Sequence, residues 1–82
     1  MKRRDELYEE LKRDLVAQHG QMIGGSELAK VLGYNSVVAL RKARLRGAIS
    51  IPLFTPVKRR TSFALTVDVA DWLVEQRDKG GI

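Results

Sequence analysis

The stretch VALRKARLRG, Val38 to Gly47, sets four cations in six positions, Arg41, Lys42, Arg44 and Arg46, with no acid among them. A second cluster, Lys58-Arg59-Arg60 followed by Thr61, stands further along the chain. Side chains of this kind neutralise phosphates, which gives affinity for a polyanion without sequence information. The residues around them can add discrimination. Asn35, Ser36 and the first turns after them suit base edges in a major groove. There an asparagine pairs bidentately with adenine, an arginine with guanine, and Val38 can touch a thymine methyl. Lys58, Arg59 and Arg60 suit an adjacent minor groove, and Ser26 at a helix start suits a phosphate.

Charge distribution strengthens this reading. Met1 to Glu27 holds five basic and six acidic residues, Leu28 to Val67 eight basic and none acidic, and Asp68 to the end two basic and four acidic. Forty consecutive residues therefore carry the whole positive excess, a single-sign field that attracts nucleic acid first. A solvated helix face normally mixes signs, because like charges at i and i+4 repel by a few tenths of a kcal/mol.

Catalytic chemistry finds little support. His19 is the lone histidine, there is no cysteine, and no pair of carboxylates clusters. Gly24-Gly25 is too short for a phosphate loop, and Asp68 and Asp71 are explained as helix-start acids. No enzyme, cofactor, metal site or small-molecule ligand is expected. No apolar run reaches the roughly 20 residues of a membrane span, and MKRRDELYEELKRDL lacks the apolar centre of a signal peptide. A cytoplasmic protein of one domain over residues 1–82 is expected.

The elements that must hold these residues follow from periodicity. An N-terminal helix is read over 5–18 within segment 1–20, with Leu7, Leu11 and Leu15 as a narrow stripe. That stripe serves either internal packing or a dimer. A helix-turn-helix occupies 26–47. Ser26 is read as the N-cap of its first helix and Gly33 as that helix's stop. Asn35 or Ser36 caps the second helix, and Gly47 ends it. Residues 49–65 read as a two-stranded hairpin with a basic tip, demoted to edge strands by Pro52 and Pro56. A final helix spans 66–78, capped by Thr66, with Val69, Trp72 and Leu73 as its apolar stripe. The predicted fold class is mostly α with a small β-hairpin, a winged helix-turn-helix.

On a helical wheel the basic helix takes Leu40 as its core direction, with Val37 and Ala43 beside it and the stem of Arg44 close by. Leu45 then falls off the stripe and is expected to turn inward at the helix end or pack under the wing. The competing phase puts Val38 and Leu45 in the core. Both leave Arg41 and Lys42 exposed.

GSELAKVLGY, the basic helix ending in Gly47, AISIPLF, the basic hairpin and VDVADWLVEQ together resemble small winged-helix regulators of mobile elements. These are the excisionase and AlpA-like proteins, and more closely the pyocin-activator type. Gly47, the Ile49 to Pro52 strand entry, and Asp68-Val69 to Trp72-Leu73 carry the likeness, which covers about residues 22–77. It implies a winged helix-turn-helix that regulates transcription on double-stranded DNA, or an excision factor that bends DNA; a phage or plasmid type is expected, and a homodimer or cooperative multimer would give the affinity that one small module lacks. Asn35, Ser36, Arg41, Lys42, Arg59 and Arg60 match the family's DNA-contacting elements by position. Arg44 departs from the pattern, standing where such helices often carry an apolar core residue. A protein-interaction module acting through the leucine stripe is the reading of another class, and it leaves the basic segment unexplained.

Overall fold

A computed structural model describes residues 3–80. The chain runs α1 (Arg4–His19), β1 (Met22–Gly24), α2 (Gly25–Val31), α3 (Val37–Leu45), β2 (Phe63–Leu65) and α4 (Thr66–Gly80). The four helices stand where hydrophobic periodicity places them. Both interhelical stops are built on glycine. Gly33 has φ 89°, Gly47 has φ 75°, and each lets two N–H groups fold back onto the last turn. Tyr34 N–H reaches the Ala29 carbonyl at 2.8 Å and Gly33 N–H reaches Lys30; Ala48 N–H reaches Ala43 at 2.9 Å and Gly47 N–H reaches Arg44. These paired bonds satisfy carbonyls that a helix end otherwise leaves open.

The small sheet differs from expectation. Its strands are β1 and β2, antiparallel, with Met22 opposite Leu65, Ile23 opposite Ala64 and Gly24 opposite Phe63. The 49–65 hairpin is not formed as two strands; its first arm pairs with its second through a single bridge, Phe54–Phe63. That bridge has both bonds, Phe54 N–H to Phe63 O at 2.9 Å and the reverse at 2.7 Å. Pro52 and Pro56 explain the shortness, since neither offers an N–H to a ladder. Ile23 and Ala64 face each other fully buried, so β2 instead completes its pairing with the segment after α1.

The core gathers Ile23, Leu28, Ala29, Leu32, Leu40, Ile51, Ala64 and Val69, with Leu15, Trp72 and Leu73 packed against it. Trp72 is thus a packing residue. α1 and α4 run antiparallel along each other. An Arg4–Asp78 ion pair joins them at one end, and at the other the Thr66 hydroxyl donates to the Gly20 carbonyl at 2.6 Å. Leu7, Leu11 and Leu15 are each half-buried, and no residue of α1 is fully buried.

Two expected caps are reassigned. α2 begins at Gly25 with Gly24 in the cap position, so Ser26 lies inside the first turn, exposed, and does not cap. The Thr66 hydroxyl, fully buried, is spent on Gly20 and fastens the start of α4 to the end of α1.

Gly24 is also a close approach. A Cβ built there would lie 2.5 Å from the Phe63 ring. Gly24→Ala is therefore expected to displace that ring and destabilise the protein by about 1–3 kcal/mol, the usual scale of overpacking. Thermal unfolding checks it; an unchanged midpoint would mean that the ring relocates freely.

Candidate nucleic-acid interface

α3 takes the phase set by Leu40. Leu40 and Ala43 are buried and Val37 is half-buried, while Arg41, Lys42, Arg44 and Arg46 are exposed. Val38 is 53% exposed, on the outer side as expected. Leu45 neither turns inward nor packs under the loop: it is 81% exposed. Leu45 is the last residue of the helix, with Arg46 as its cap, and the chain turns at Gly47.

Ser36 is the N-cap of α3, its hydroxyl accepting from Ala39 N–H at 3.1 Å. Its own O–H proton remains a donor. Asn35 precedes it and is exposed. Ser26 is exposed on the first turn of α2, apart from the residues that converge on the basic helix.

The Phe54–Phe63 bridge closes a loop that carries the second basic cluster. At its tip Arg59 N–H bonds the Pro56 carbonyl at 3.0 Å. Lys58, third residue of that turn, has φ 68°, a left-handed conformation that costs a side-chain-bearing residue about 1–2 kcal/mol. Lys58, Arg59, Arg60 and Thr61 are all exposed. The Arg59 guanidinium sits 5.5 Å from the centre of the Phe63 ring, which steers it along the loop.

Helix and loop meet. Arg44 donates to the Ser62 hydroxyl, joining residues eighteen positions apart. Arg41, Arg44, Arg60, Thr61 and Ser62 line one small cleft of about 60 Å³, together with Gly25, Val37, Leu40 and Leu53. The departure of Arg44 from an apolar core position thus has a structural role: its stem follows the helix and its head holds the loop. Ser62, Leu53 and Gly25 were missed by sequence reasoning. Their convergence on α3 is long-range, and no local spacing encodes it.

The electrostatics divide the molecule. Among the described residues, every ion pair lies in 3–27 or 75–79: Arg3 with Asp5 and Glu6, Lys12 with Glu9, Arg13 with Asp14, His19 with Glu27, Lys79 with Glu75, and Asp78 with Arg4 and Arg77. The hydrogen bond from Lys79 holds the Glu75 carboxyl below its ordinary range, and Glu9 holds the Lys12 ammonium above its own. Lys30, Arg41, Lys42, Arg44, Arg46, Lys58, Arg59 and Arg60 have no carboxylate partner among the described residues. His19 is occupied by Glu27 at 3.0 Å. No group of three or more His, Cys, Asp or Glu that could hold a metal, and no helix long and apolar enough to cross a membrane, occurs among the described residues. No protein family, curated protein or solved structure matches this chain.

Proposed function

We propose that this protein is a sequence-specific double-stranded-DNA-binding regulator of winged helix-turn-helix type, and that it serves a mobile element as the family it resembles does. α3 enters the major groove, and the 54–63 loop is the wing, lying on phosphate or in the neighbouring minor groove. One observation carries the reading: cations from two distant segments converge on one cleft that no carboxylate lines, while the ion pairs among the described residues lie on the other elements. A phosphate backbone supplies the missing negative charge. Asn35, Val38 and the outer side of α3 are the base-reading positions. Two or more copies on repeated sites give the affinity that one small module lacks.

A gel shift on the DNA just upstream of its own gene, at near-physiological salt and with scrambled duplex as competitor, tests this. A discrete band surviving excess competitor is expected. A smear that vanishes by roughly 200 mM salt would leave only electrostatic affinity and overturn the sequence-specific reading.

The wing makes its own forecast. Each phosphate contact contributes about 0.9 to the slope of log affinity against log salt. Arg59→Ala with Arg60→Ala is expected to flatten that slope by roughly 2. A slope equal to the wild type's would take the loop off the DNA.

A further inference from the structure

We propose that the cleft between α3 and the 54–63 loop is a seat for a single phosphate group, and that filling it locks the loop onto the helix. The source of that phosphate, a DNA backbone phosphodiester, rests on the DNA-binding reading above; the seat itself rests on geometry.

At about 60 Å³ the cleft is of a size to take a compact anion. Three arginines, Arg41, Arg44 and Arg60, line it, and no acidic residue does. Holding three like charges around one space is unfavourable until an anion enters. The hydroxyl-bearing residues Thr61 and Ser62 also line it. Ser62 accepts from Arg44, so its own proton is available to an incoming oxygen. Arg44 uses one of its five N–H donors on that hydroxyl and keeps the others. Val37, Leu40 and Leu53 form the apolar side, which lowers the local dielectric and strengthens a charge-assisted hydrogen bond.

Such a seat differs in kind from the outer cations. Lys42, Arg46, Lys58 and Arg59 are not among its lining and act as diffuse charge. A phosphate in the cleft would touch the helix through Arg41 and Arg44 and the loop through Arg60 to Ser62 at once. It would add an anionic bridge to the existing Arg44–Ser62 tie. The guanidinium fork matters there, because an ammonium is a point charge and cannot span two oxygens in the same geometry.

The test uses the full chain and a short duplex selected from a random pool by the wild-type protein. Its phosphates are replaced one at a time by neutral methylphosphonate. In the wild type one phosphate per bound copy is expected to stand out, with neutralisation there weakening binding about tenfold or more. Arg44→Lys is expected to erase the special position while the remaining positions keep their small effects. Arg60→Lys, on the exposed loop, does the same should the helix variant misfold. Lys12→Ala, on α1 and outside the interface, leaves the position intact. An even spread of small losses along the wild-type duplex would overturn the seat, as would a special position that survives both lysine variants. Should selection yield no duplex at all, the DNA reading fails and inorganic phosphate decides the seat. Saturable amide NMR shifts confined to residues 41–44 and 60–63 would uphold it as a site for free phosphate, and their absence would overturn it.

Discussion

Arg41→Ala with Lys42→Ala lowers duplex affinity roughly 100-fold at physiological salt and leaves the fold unchanged: that is the largest functional effect expected of any pair of substitutions here. Both side chains are exposed, on the side of α3 away from Leu40 and Ala43, so their removal opens no cavity. Alanine is also the best helix former, so α3 is not weakened locally. What disappears is two cations without carboxylate partners, one of them in the cleft lining. About tenfold per contact is the ordinary scale for a phosphate or base-edge interaction. Lys12→Ala is the matched control. Lys12 is committed to Glu9 at 3.0 Å and its loss should leave DNA affinity within about twofold. Circular dichroism with a binding titration reads the result. Equal affinity for the double variant and the wild type, with the helical signal intact, would remove α3 from the interface.

The largest stability effect is expected at Leu28. It is fully buried on α2, inside the cluster that includes Leu40 of the basic helix and Val69 of α4. Leu28→Ala deletes methyl groups from a core too small to refill the space. The expected loss is about 3 kcal/mol, within the range of such truncations. Small domains hold only about 5–15 kcal/mol in total, so the melting midpoint should fall by roughly 10–20 °C. DNA affinity measured well below that midpoint should stay near the wild type's, because Leu28 does not line the cleft. A midpoint shift under about 3 °C would mean that the core does not close on Leu28.

The particular residues show what was legible beforehand. Leu40 set the phase of α3 because a nine-residue helix with one buried leucine and one buried alanine has little freedom of rotation. Gly33 and Gly47 fixed two helix ends, since glycine readily takes the positive φ that returns the chain's N–H groups. β1 was not legible. Three residues, Met22 to Gly24, are too few for alternation to be visible, and their partner lies some forty residues away. Ser26 misled because a serine before an apolar run resembles a cap, whereas Gly24 takes that position and Gly25, at φ 60°, carries the chain into α2. Leu45 misled because hydrophobic residues are expected inside, although much of any folded surface is apolar. For the candidate interface, the cations could be counted in the sequence. Their meeting could not, because the Arg44–Ser62 tie depends on how the 54–63 loop folds back over α3.

The Arg4–Asp78 pair brings the two ends of the described chain side by side, on helices that contribute nothing to the basic cleft. Two copies can therefore be strung in tandem by a short flexible link without the link crossing either cleft. On the DNA-binding function proposed above, once the first copy is seated the second would meet its neighbouring site at an effective concentration set by the tether, about millimolar for a short one. Avidity then becomes adjustable through linker length alone, with every side chain of the interface left as it is.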